Sequence, residues 1–143
     1  MAAPFHLHLP AHFVEEMFAQ AKAELPNECC GVLAGTVAPD RTAQVVRRYP
    51  LTNAAASPVE YLSEPRAMFD AERDMRSHGT HIVAVYHSHP TSEAVPSKKD
   101  RERNYSPEVV NFIISLKDGT PRLRGWWLTA DGAQEAVWEV VNE

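Results

Sequence analysis

Residues 80–90 read THIVAVYHSHP. The first seven, Thr80–Tyr86, are β-branched and almost wholly apolar, as a strand covered on both faces must be. They predict a strand in the middle of a sheet. It runs directly into His87 and His89, and because strand side chains alternate with a period of two, both imidazoles leave the same face, about 7 Å apart at Cα. Zn–N bonds of about 2.0–2.1 Å let a single ion bridge that gap when the side chains converge. Asp100 offers a third donor. Ser97 stands as N-cap of a short helix expected over Ser97–Asn104, Asp100 lies in its first turn, and the loop Pro90–Pro96 can fold that turn back beside the strand end. Three protein ligands leave one tetrahedral position free, the arrangement of a catalytic site and not of a closed structural one.

Outward from this strand, helical and extended patterns alternate. Phe5–Leu9 has the apolar–histidine alternation of a short strand, and Pro10 opens a helix with apolar positions at Phe13, Met17 and Ala21, ended by Leu25-Pro26-Asn27. Cys29–Ala34 and Gln44–Leu51 read as strands around the turn at Pro39-Asp40, and Asn53–Pro58 as a loop. Glu64-Pro65 starts a second helix through Met68, Ala71 and Met75, stopped by His78-Gly79. Val109–Leu116, Leu123–Leu128 and Ala133–Val141 are strands separated by turn signals, so the chain is expected to finish as a meander. The fold class is α/β: a single domain over residues 1–143, with a mixed β-sheet and flanking helices.

With 143 residues, 44% hydrophobic and 23% charged, the chain has the composition of one globular domain with a packed core. Its net charge of -5 argues against nucleic acid as a partner. Lys98, Lys99, Arg101 and Arg103 alternate with Asp100 and Glu102 as on a solvated helix face. No stretch of about 18 apolar residues is present, which argues against a membrane span, and the N-terminus lacks the pattern of a secretory signal. Cys29 and Cys30 are adjacent and make no disulfide framework, which suits a reducing cytoplasm.

Each part of the constellation has a plainer reading. A His-x-His pair can be strand-end polarity, Ser97-Lys98-Lys99-Asp100 fits a capping box, and Glu28 beside Cys29-Cys30 can be a solvated carboxylate. Together, however, His87-Ser88-His89-Pro90, six further residues, Ser97 and Asp100 reproduce the pattern H-S/T-H-P-x6-S-x-x-D. This resembles the JAMM (MPN+) metallopeptidase family, small bacterial type. The segment Asn27–Gly35 (NECCGVLAG) resembles the family's early glutamate segment, and Thr80–Tyr86 and Tyr105–Leu116 agree as well, so the resemblance covers nearly the whole chain.

The resemblance implies a mixed-sheet fold akin to the cytidine deaminases, Zn2+ on His87, His89 and Asp100, Glu28 as general base, and Ser97 as oxyanion donor. None of these five residues departs from the pattern, which separates the chain from the family's metal-free scaffold branch. It further implies hydrolysis of a peptide, isopeptide or related acyl bond at the C-terminus of a ubiquitin-like or sulfur-carrier protein, with the partner's Gly-Gly tail lying as an added strand near Ala54–Leu62. Two alternatives are a zinc-stabilised binding module, against which the presence of Glu28 speaks, and a zinc amidase acting on small or cell-wall peptides. His6, His8, His12, His78 and His81 are read as surface or structural, Cys29 and Cys30 as buried thiols, and Trp126-Trp127 as one ring in the core and one at the surface, available to a partner.

Overall fold

The computed structural model describes residues 3–142; Met1, Ala2 and Glu143, which the expected domain includes, lie outside the described residues. A strand at His6–Pro10 (β1) passes directly into a helix at Ala11–Ala23 (α1), with Pro10 ending one and capping the other. Phe13, Met17 and Ala21 recur every fourth residue and are all buried, which fixes the face α1 presents to the sheet. Strands Cys30–Val37 (β2) and Thr42–Leu51 (β3) form an antiparallel pair. Helix Pro65–Ser77 (α2) starts where the Glu64 carboxylate accepts the N–H groups of Arg66 and Ala67, and it buries Ala71 and Met75. It stops at His78-Gly79, where Gly79 adopts φ 68°, a conformation that side chains disfavour.

Strand His81–His89 (β4), helix Lys98–Glu102 (α3) and strands Val110–Ser115 (β5), Arg122–Thr129 (β6), Gly132–Glu135 (β7) and Trp138–Val141 (β8) follow. They join one eight-stranded sheet in the order β7-β6-β5-β4-β2-β3-β1-β8. Pairs β4–β5, β1–β3 and β1–β8 are parallel and the rest antiparallel, so the sheet is mixed, as expected of the α/β class. β4 lies between β2 and β5, and every residue from Val83 to His89 is buried. That position is the physical reason for its unbroken apolar run.

Two expectations need correction. Ala133–Val141 is not one strand, and the meander ends at β7. At the break, the Ala136 N–H donates to Gly125 O at 2.8 Å and Val137 O accepts from Leu7 at 3.4 Å, which transfers the chain from β6 to β1. Since β7 and β8 stand at opposite ends of the strand order yet are joined by two residues, which allow at most about 11 Å between the strand ends, the sheet must curl until its ends adjoin. The second correction concerns α3, which is shorter than Ser97–Asn104. The Asn104 side chain instead bonds Leu128 O and Asn111, tying the chain to β5 and β6.

The sheet separates two apolar clusters. On one face α1 packs with Leu7, Leu33, Tyr86, Phe112 and Trp127; on the other α2 packs with Cys30, Val32, Leu51 and Val85. Cys29 and Cys30 fall on opposite faces and are buried free thiols. No helix among the described residues is long and apolar enough to cross a membrane.

Candidate metal centre

β4 delivers His87 and His89 to one face, as the period of two requires, with ring centroids 5.0 Å apart. Their Nε2 atoms approach to 3.2 Å. Asp100 meets both: Oδ1 lies 3.2 Å from His87 Nε2 and Oδ2 3.1 Å from His89 Nε2. The three donor groups all lie within 4.8 Å of one another, a cluster that could hold a metal ion. Two imidazole nitrogens and a carboxylate converging on one point fit a cation, because two facing nitrogen lone pairs repel unless a proton or a metal lies between them. The donor set of two nitrogens and one oxygen is suited to zinc and to related divalent ions.

Asp100 is held by the first turn of α3. Ser97 Oγ accepts the Asp100 N–H at 3.0 Å while Asp100 Oδ2 accepts the Ser97 N–H at 3.0 Å, completing a capping box. The capping box is therefore formed while Asp100 also faces both histidines. The cap uses Ser97 Oγ as an acceptor, so its proton is still available to donate.

Glu28 lies two residues before the start of β2. In the antiparallel register Cys30 pairs with His87, and the bond from Ser88 N–H to Cys29 O continues it, which brings Glu28 level with His89. The residue is 4% exposed and Oε1 has no partner among the described residues. Burial is the main reason its pKa rises from 4.5 to about 7; the neighbouring His89 opposes this and Asp100 and Glu60 add to it. Burial likewise lowers the pKa of His87, whose Nδ1 has no partner among the described residues. At His89 burial is outweighed by the Asp100 hydrogen bond and by the Glu93 carbonyl, so its pKa rises; at Asp100 the two histidines overcome burial and hold the carboxyl well below the usual range.

Several contributors carry no sequence signal of their own. Asn53 is buried and uses its whole amide: Nδ2 donates to Glu28 O and Glu60 O, and Oδ1 accepts from Ala55 and Leu62. The Glu28 N–H in turn donates to Ser57 O at 2.8 Å. Tyr61 stacks on His87, centroids 4.6 Å apart at 23°. A cleft of about 180 Å³ opens beside Asp100, floored by Gly31 and walled by Cys30, Leu51, Tyr61, Met68 and Val85. The segment 54–62, expected to offer a sheet edge, is a loop closed on itself by the Asn53–Ser63 bridge and by Ala54 N–H to Leu62 O at 2.7 Å. Outside the site, His8 contacts Gln44 and Glu139, and His78 meets Asp74 O at the end of α2. Trp127 is core; Trp126 is half-buried.

Residues 10–129 match the family described as prokaryotic homologs of the JAB domain. The chain belongs to this family. It is 35% identical over 112 residues to the CysO-cysteine peptidase of Mycobacterium tuberculosis, covering 78% of this chain and 75% of that one. To the desampylase of Haloferax volcanii it is 39% identical over 108 residues, 74% of each chain. The likeness to a probable TtuB-protein conjugate cleaving protease of Thermus thermophilus is 36% over 115 residues, 79% of this chain and 72% of that one. A solution structure of a protein from Desulfitobacterium hafniense superposes with a TM-score of 0.85 at 35% identity, covering 96% of this chain and 94% of the other. Family membership, relatives named as peptidase, desampylase and conjugate cleaving protease, and the His87–His89–Asp100 cluster together make this chain a hydrolase of the JAB/MPN family.

Proposed function

We propose that this chain is a zinc peptidase or isopeptidase that cleaves the bond following the C-terminal Gly-Gly tail of a ubiquitin-like or sulfur-carrier protein. Residues 1–143 act as one catalytic domain, working in the cytoplasm, where two buried free thiols suit the reducing conditions. The observation that carries the reading is a buried carboxyl with a pKa near 7 set opposite a converging His-His-Asp cluster. The names of the relatives, which refer to a CysO-cysteine bond and a TtuB-protein conjugate, supply the substrate class.

His87, His89 and Asp100 would hold the zinc ion, which when bound would supply Lewis acidity to the site. Glu28 takes the proton from the attacking water and passes it to the leaving amine, tasks that one buried carboxyl beside the cluster can perform in turn. Ser97 directs its free hydroxyl proton at the carbonyl oxygen as negative charge develops there, a contribution of about 2.7–4 kcal/mol for one such donor. The Gly-Gly tail approaches through the cleft beside Asp100, where residues without side chains permit close approach.

The test uses a ubiquitin-like protein joined through Gly-Gly to a cysteine. Glu28→Gln should lower turnover by about 10²–10⁴-fold while zinc content and substrate affinity are kept. Hydrolysis at the wild-type rate by the zinc-loaded variant would sink the mechanism.

A further inference from the structure

The loop between His89 and Ser97 is fastened at three consecutive carbonyls by side chains from three strands. Ser115 Oγ on β5 donates to Ser92 O at 2.7 Å, His89 Nδ1 on β4 to Glu93 O at 2.8 Å, and Trp126 Nε1 on β6 to Ala94 O at 3.0 Å. The two outer fasteners are themselves fixed. Ser115 is 3% exposed and its Oγ also accepts the Lys117 N–H, which orients the hydroxyl. The Trp126 ring lies under the Arg124 guanidinium at 4.7 Å, and Glu135 holds that guanidinium with two hydrogen bonds of 2.9 and 3.0 Å. Ala94, whose carbonyl Trp126 grips, is buried as well.

This arrangement matters because the central carbonyl sets the orientation of His89. A ring nitrogen bound to a carbonyl must carry the proton, which leaves the other nitrogen as an acceptor. Here Glu93 O takes Nδ1–H and leaves Nε2 facing Asp100. We infer that Ser115 and Trp126 are positioning residues for the metal centre: by clamping the backbone on either side of Glu93 O, they fix the His89 ring and the loop that leads to Ser97 and Asp100. The inference rests on the proposed ligand set. It assigns Trp126 a task inside the molecule and makes residues 90–96 a rigid wall of the site.

Trp126→Phe deletes the indole N–H and keeps a ring beneath Arg124; Ser115→Ala deletes the hydroxyl, and Ser115→Thr restores it. Three measurements decide the matter: amide exchange of residues 91–97 and the His89 ring ¹⁵N signals in metal-free protein, and zinc affinity by chelator competition. In Trp126→Phe and Ser115→Ala, loop exchange should quicken by about 5–10-fold, as expected for one lost hydrogen bond, while the amides of β4 and β5 stay protected. The His89 nitrogens should broaden or split, and zinc affinity should fall by about 10–100-fold, with Ser115→Thr returning towards wild type. Unchanged loop exchange, or a loosened loop with unaltered His89 signals and zinc affinity, overturns the inference. If wild-type protein takes up no zinc, the metal reading falls, and the exchange and His89 signals still decide whether the clamp orients the ring.

Discussion

Replacing Glu28 by glutamine should make the metal-free protein more stable at alkaline pH, and the size of the gain measures how far the carboxyl is desolvated. Glu28 is 4% exposed, its Oε1 is unpartnered, and its pKa rises from 4.5 to about 7. A folded-state pKa above the unfolded one means that the native state holds the proton more tightly. The stabilisation is therefore complete below pH 4.5 and is lost as pH rises through 7. At 1.36 kcal/mol per pH unit the whole displacement is worth about 3 kcal/mol, and solvent screening through the cleft reduces the least expected value to about 1 kcal/mol. Glutamine has the same shape and no proton to lose. Urea unfolding of chelator-stripped wild type and Glu28→Gln at pH 5 and pH 8.5 isolates the effect, because the other titrating groups are common to both proteins. The stability difference should shift towards the variant by about 1–3 kcal/mol at the higher pH. A difference that is the same at both pH values would refute the argument that burial sets the character of this group.

His87→Ala and Asp100→Ala should each abolish stoichiometric zinc binding; full retention after zinc loading, measured by elemental analysis in both variants, would mean the ligand set is wrong. Gly35→Ala would set a Cβ 1.9 Å from the Gln44 carbonyl oxygen, in backbone that cannot swing aside, so urea denaturation should show a loss of at least about 1–3 kcal/mol. Burial raises the Cys29 thiol to about 11 and the Cys30 thiol to about 12, so iodoacetamide at pH 8 should leave both unlabelled until the protein unfolds. The same raised values predict stability lost as pH climbs from 9 through 12, since the unfolded thiols ionise first; urea midpoints for wild type that stay level over this range would contradict it.

What could be read from the chain was local in origin. Thr80–Tyr86 announces a central strand because burial on both faces leaves no room for polar residues, and the two histidines follow at a spacing the strand converts into convergence. Phe13, Met17 and Ala21 show their helix in the same way. The break at Ala136-Val137 has no glycine or proline to mark it. It is imposed by hydrogen bonds to Gly125 and Leu7, partners far along the chain. Asn53 and Tyr61 were invisible as site residues for a related reason: an amide with four hydrogen bonds and a ring over His87 acquire meaning only once β2, β4 and the 53–63 loop are side by side. Asp100 teaches a different lesson, because one side chain completes the helix cap with Ser97 and also joins the His87–His89–Asp100 cluster without conflict.

The pairing of β8 with β1 has a bearing on biosynthesis. Leu7 partners Trp138, so the contact that completes the sheet joins nearly the first described strand residues to the last. On the ribosome every other strand among the described residues is made before residues 138–141, and until they emerge β1 presents a bare row of amides and carbonyls on the side that β8 will cover. Contacts of such long sequence separation form slowly, since the intervening chain must be ordered first. The nascent enzyme is thus most exposed to mispairing with a neighbouring chain in the interval before residues 138–141 have paired with β1, and chaperone demand should be concentrated there.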